Sequence, residues 1–126
     1  MADTKDAKYT PELRLRVLWG NDAMLGPGKA DLLDHIAETG SIAAAGRRMS
    51  MSYKRAWMLV EVMNTTFQGP LVDSTRGGAR GGGASLTPLG REILALYRDL
   101  VRVTSDAGAD RMADLTARLK QPSDKG

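Results

Sequence analysis

Apolar and polar residues first alternate with period two. Leu13, Leu15, Val17 and Trp19 fall on one side of an extended Leu13–Trp19 segment, with Arg14, Arg16 and Leu18 on the other, which predicts a half-buried strand. Residues 21–28, including Gly26-Pro27-Gly28, read as a turn region. From Pro27 the spacing becomes helical, with Leu32, Leu33, Ile36 and Ala37 on one stripe and Gly40 placed to end the helix. Ser41 is a suitable N-cap for a short helix over Ile42–Met49, and Ser50 or Ser52 can cap a third helix that begins near Tyr53. This helix should bury Ala56, Leu59, Val60, Met63 and Phe67, turn Lys54, Arg55, Met58 and Glu61 elsewhere, and end by Gly69-Pro70.

Leu71–Ser74 and Ala84–Thr87 are short strand candidates on either side of a Gly/Arg stretch, and Thr87-Pro88 reads as an N-cap followed by proline at the first helical position. In the helix that follows, Leu89, Ile93, Leu96, Leu100, Val103 and Ala107 recur at alternating steps of four and three. That is the seam expected of a helix lying along another helix. The phase changes around Ala107-Gly108-Ala109, and Met112, Leu115 and Leu119 form a shorter stripe beyond it.

A chain of 126 residues is one domain by length. The expected layout is a disordered N-terminus over 1–12, a folded domain over 13–105, a helical extension over 106–121 and a disordered tail over 122–126. Aromatic residues are few and cysteine is absent, which suggests a core of aliphatic side chains and Met, and excludes disulfides, thiolate metal sites and cysteine nucleophiles. There is no apolar targeting segment and no run of eighteen apolar residues, so a soluble, cytoplasmic protein without membrane contact is expected.

The distribution of charge is more informative than composition. Residues 1–40 hold five Lys/Arg against seven Asp/Glu, residues 41–91 seven against two, and residues 92–126 six of each. The basic excess lies in the middle segment, which makes a polyanion the first partner to consider. Two helices joined by about three residues form a helix-turn-helix, whose second helix enters the major groove. Ser52, Tyr53, Lys54 and Arg55 would lead that helix, and Arg47 and Arg48 would end the first one near the phosphate backbone. Ala43, Ala44, Ala45 and Gly46 are small enough to let the two helices cross closely. Short helix pairs are common, however, and most bind nothing.

The order of elements adds to this: strand, three helices, two strands around a Gly/Arg loop, long helix. In that order the loop is the wing of a winged helix, whose glycines allow close approach while Arg76 and Arg80 reach phosphates or the minor groove. A Walker-type phosphate loop would need Lys-Ser/Thr and a helix after the last glycine, whereas Gly83 is followed by Ala84-Ser85-Leu86. A linker would divide a chain too short for two domains, and RGG-type RNA-binding segments normally recur. His35, the single histidine, reads as a surface or packing residue with no metal role, Tyr53 and Trp57 as a pair that can stack, and Met49, Met51, Met58 and Met63 as core or turn filler. No catalytic constellation, nucleotide fingerprint or cofactor site is found, so an enzyme is not expected.

These residues also carry a family resemblance. The runs Asp31–Ile42, Met51-Ser52-Tyr53-Lys54-Arg55-Ala56-Trp57, Met63-Asn64 and Gly77–Ala84, with Leu86-Thr87-Pro88-Leu89-Gly90, resemble the N-terminal DNA-binding domain of ModE-type molybdate-responsive transcriptional regulators over about residues 13–105. The resemblance implies a mainly α (α+β) fold: a winged helix-turn-helix with an N-terminal strand, a three-helix core, a Gly/Arg wing hairpin and a long C-terminal dimerisation helix. It further implies a homodimer on a palindromic operator in double-stranded DNA. Ser52, Tyr53, Lys54 and Arg55 would lie at the groove, Arg76 and Arg80 on the wing, and the Leu89–Ala107 seam between protomers. Full-length members also carry paired β-barrel modules that bind molybdate. Only thirty-four residues follow Glu92 here, so a stand-alone form that does not itself bind molybdate is expected. A molybdate response would then need a partner chain or a dimer-interface site. The rival reading from another class is a winged-helix protein-interaction module that does not bind DNA.

Overall fold

The computed structural model describes residues 10–75 and 83–120. The elements run β1 (Val17–Trp19), β2 (Ala23–Leu25), α1 (Pro27–Thr39), α2 (Ile42–Arg48), α3 (Tyr53–Thr66), β3 (Val72–Thr75), β4 (Gly83–Leu86), α4 (Pro88–Ala107) and α5 (Ala109–Ala117). The fold is a mainly helical winged helix-turn-helix with two small antiparallel hairpins.

The first hairpin corrects the reading of the N-terminal segment. Only Val17–Trp19 of the alternating run is strand, and it pairs with Ala23–Leu25, which lies in the expected turn region. Three residues of β2 leave Leu13–Arg16 without a strand partner, and the Leu15 carbonyl instead accepts the Tyr97 hydroxyl at 2.6 Å. The alternation survives as burial: Leu13, Leu15 and Val17 are half-buried between exposed neighbours. Trp19 does not follow it into the interior, being 47% exposed and set edge-on to Phe67.

Pro27 stands at the start of α1, and Gly40 closes it in the left-handed conformation, φ 73°, with its N–H on the Ile36 carbonyl. Leu32, Leu33 and Ile36 are fully buried, whereas Ala37, expected on the same stripe, is exposed. The Ser41 hydroxyl caps α2 by accepting the Ala44 N–H, and Ser52 caps α3 in the same way through Arg55. Between those helices Ser50 adopts φ 58°, unusual for a residue with a side chain, and the Met51 N–H returns to the Gly46 carbonyl. A Cβ on Gly46 would stand 3.0 Å from that of Ala56, so at this position the missing side chain lets α2 and α3 approach closely.

One continuous core joins α1, α2 and α3 to the second hairpin through Leu32, Leu33, Ile36, Val60, Met63, Leu71 and Leu86. Helix α4 closes it from one side with Leu89, Ile93 and Leu94, and buries Tyr97 against Leu25 and Ala30. Arg98 on α4 forms ion pairs with Asp31 and Asp34 of α1. The long helix ends at Ala107, and α5 follows directly from Gly108.

Candidate nucleic-acid interface

The site is assembled from the α2–turn–α3 unit and the second hairpin. Two features of the core fix α3. Its buried line, Ala56, Val60 and Met63, orients the helix about its axis. Asn64 then fixes it along the chain: Oδ1 accepts from the Leu71 and Val72 N–H groups at 2.8 and 3.0 Å, and Nδ2 donates to the Val72 carbonyl at 3.1 Å. A single amide thus ties the end of α3 to the start of β3. In the sequence Asn64 is legible only through the family resemblance, because no periodicity singles out a polar residue reaching seven positions ahead.

The outer side of α3 is unpartnered. Ser52, Tyr53, Lys54 and Arg55 are all exposed, Tyr53 at 56%, and the Ser52 hydroxyl is already engaged as the cap. Among the described residues, Arg47, Lys54 and Arg55 make no ion pair and no side-chain hydrogen bond, so three cations face solvent within one turn of the helix junction. Arg48 differs from them. Its guanidinium donates to Glu38 and approaches His35 Nδ1 at 3.4 Å, which ties the end of α2 to α1. His35, half-buried 3.8 Å from Glu38, therefore sits in a charged cluster.

Two of the smaller expectations need correction. Tyr53 and Trp57 form no ring contact, and Trp57 is 40% exposed. Met49 and Met51 pack against the core and Met63 lies within it, but Met58 is 53% exposed and fills nothing, because it lies on the far side of α3 from Ala56 and Val60.

The second hairpin carries the predicted wing. Val72 faces Leu86 and Thr75 faces Gly83 in its register. Arg76 and Arg80, the two cations expected at its tip, lie outside the described residues. The Ala84 N–H bonds the Gly40 carbonyl at 2.9 Å, so the return strand rests on the end of α1. Thr87 then caps α4 and donates its hydroxyl to the Pro70 carbonyl at 2.8 Å.

The Leu89–Ala107 seam divides in two. Leu89 and Ile93 are half-buried against the core of their own chain, which the four-three spacing could not distinguish from a contact between chains. Leu96, Leu100 and Val103 remain 60%, 42% and 49% exposed, in line along one face, and Ala107 is exposed at its end. Leu96 also lines a shallow groove with Phe67, Gln68, Leu89, Glu92 and Ile93.

Among the described residues no group of acidic, histidine or cysteine side chains is arranged to hold a metal ion, and no helix is long and apolar enough to cross a membrane.

Comparison with known proteins agrees with this geometry. The profile of bacterial regulatory helix-turn-helix proteins of the lysR family matches residues 29–91, half of the chain, from α1 to the start of α4. The molybdenum transport protein ModE of Herbaspirillum seropedicae is 48% identical over 71 residues, covering 56% of this chain and 26% of its own length. The molybdenum-pterin-binding protein MopB of Rhodobacter capsulatus is 44% identical over 81 residues, 64% of this chain and 30% of its own. The DNA-binding transcriptional dual regulator ModE of Escherichia coli (strain K12) is 38% identical over 81 residues, 64% of this chain and 31% of its own. The chain thus spans under a third of the length of these relatives. In solved structures the fold recurs in the DNA-binding domain of CbnR in complex with DNA, with a TM-score of 0.54 at 20% identity, covering 70% of this chain and 95% of that one.

Proposed function

The chain belongs to the bacterial regulatory helix-turn-helix proteins of the lysR family, and from that premise we propose that it is a sequence-specific DNA-binding transcriptional regulator. In this reading it acts in the cytoplasm as a homodimer on a palindromic operator, and it is not an enzyme. The single observation that carries the reading is the capped, outward-facing start of α3, where Tyr53, Lys54 and Arg55 stand exposed beside the uncompensated Arg47. A helix seated in the major groove meets base edges with its N-terminal residues, and the adjoining cations neutralise phosphates. Arg76 and Arg80 of the wing are assigned to the flanking backbone. Arg48 is assigned to phosphate as well, with Glu38 as its partner in the free protein.

Dimerisation is assigned to the exposed part of the α4 seam, Leu96, Leu100, Val103 and Ala107, while Leu89 and Ile93 support it from the core. Two-fold symmetry would set the paired α3 helices about one DNA turn apart, roughly 34 Å. The relatives named for molybdenum raise the question of an oxyanion effector. We assign this chain the DNA-binding role alone, so calorimetric titration of the protein with molybdate should give no binding heat.

A gel shift separates DNA binding from a protein-interaction role. The chain should retard random duplex at low salt and prefer a sequence selected from a random pool. Replacing Lys54 and Arg55 together with Ala should abolish that preference while the circular dichroism spectrum stays unchanged. Undiminished operator affinity in the double variant would remove α3 from the interface.

A further inference from the structure

Helix α3 points Lys54, Met58, Glu61 and Thr65 directly away from the core. They recur at steps of four, three and four, all are exposed, and they lie opposite the buried Ala56, Val60 and Met63. The ridge is chemically mixed in a way that constrains what it can meet. Among the described residues the Glu61 carboxylate has no cationic partner, and at a phosphate backbone it would be repelled. The middle of the ridge therefore suits the groove floor, where amino groups of cytosine and adenine can donate to a carboxylate. Between Lys54 and Glu61 stands Met58, 53% exposed and without a place in the core, flanked by Trp57 at 40% and Val62 at 41%. In the major groove of B-form DNA the thymine methyl is the apolar group that a side chain can reach.

We infer that Met58 is a specificity-determining residue that packs on a thymine methyl in each half-site, which rests on the reading that α3 occupies the major groove. The basic residues at the start of the helix hold it in the groove, and the apolar face continues that interface one turn further along α3. Met is suited to this contact because its unbranched thioether adapts to the position of a methyl group.

The test uses the full chain and a duplex selected by it from a random pool, with each thymine replaced in turn by deoxyuridine, which removes only the methyl. At one symmetry-related pair of positions the replacement should weaken binding about fifteenfold, or about fourfold for each methyl left uncovered. Met58→Ala should bind the thymine duplex correspondingly more weakly and show no further loss with uracil. Met58→Leu should keep most of the uracil sensitivity. All three proteins should melt alike, since Met58 is not part of the core. Normal binding with uracil tolerated at every position would overturn the inference alone, as would a Met58→Ala protein that remained fully sensitive to uracil. Failure to bind any duplex at low salt would overturn the DNA-binding reading and this inference with it.

Discussion

Asn64 shows how much one side chain contributes to placing the site. It satisfies the N–H groups of Leu71 and Val72, two residues with almost no solvent exposure. An Asn64→Ala chain would leave both donors buried and unpaired, at a cost of about 2–4 kcal/mol. Urea denaturation should show the midpoint falling with little change in slope, and an unchanged midpoint would mean that water replaces the amide. Gly90 is constrained by space. A Cβ there would lie 2.1 Å from the Leu71 carbonyl oxygen, a backbone atom that cannot rotate away. Gly90→Ala should therefore destabilise by about 3 kcal/mol although alanine favours helices, and a thermal melt equal to the parent would contradict that packing. Ser50 poses the converse case. Its φ of 58° strains any side chain, so Ser50→Gly should be neutral or stabilising, and Ser50→Val should lower the melting temperature.

At the scale of elements, helices were more legible in the sequence than hairpins, for a physical reason. Capping serines, Gly40 and the Thr87-Pro88 pair are local signals, read from residues within one turn of the end they mark. Strand β2 has no such signal, since Ala23-Met24-Leu25 shows no alternation and is a strand only because β1 folds back on it. The α4 stripe was legible as apolar, but its division between core and surface depends on where α1 and α3 lie. The site was likewise legible as a set of cations near a helix junction. That Arg48 is paired and Arg47 is not follows from the position of Glu38 on α1.

Tyr97 is the counterpart among contacts between elements. Its hydroxyl reaches a carbonyl eighty-two residues away, and burial pushes its pKa above 10.0. The folded state thus favours the neutral phenol. That contribution is complete below about pH 10 and is lost as pH rises through the folded value. Tyr97→Phe should cost about 1 kcal/mol at neutral pH through the missing hydrogen bond. The gap between the two proteins should narrow above pH 10, and denaturation curves that stay parallel there would contradict the assignment.

For the whole molecule, charge and shape separate by region. The basic middle segment carries the proposed DNA face, and the balanced last segment carries the apolar line Leu96, Leu100 and Val103. Substituting glutamate for Leu100 should leave the protomer folded, because that residue is outside the core, but should yield monomers in sedimentation velocity. Operator affinity should fall steeply with it, while weak binding to random duplex should persist. A variant that stayed dimeric would move the interface away from α4.

The peptide unit at Leu71 is the point at which these parts meet. In the unit that joins Leu71 to Val72, the Val72 N–H is held by Asn64 near the end of α3, the Leu71 carbonyl accepts the Thr87 N–H at 2.9 Å where α4 begins, and Gly90 is pressed against that carbonyl. The element proposed to read bases and the element proposed to pair protomers are therefore pinned to one rigid joint. A dimer built this way is a caliper with fixed jaws. It should measure its target as well as read it. One base pair inserted between half-sites shifts one of them by about 3.4 Å and turns it by about 35°, which a fixed caliper cannot follow. Such an operator should be bound little better than random DNA, even with every contacted base intact.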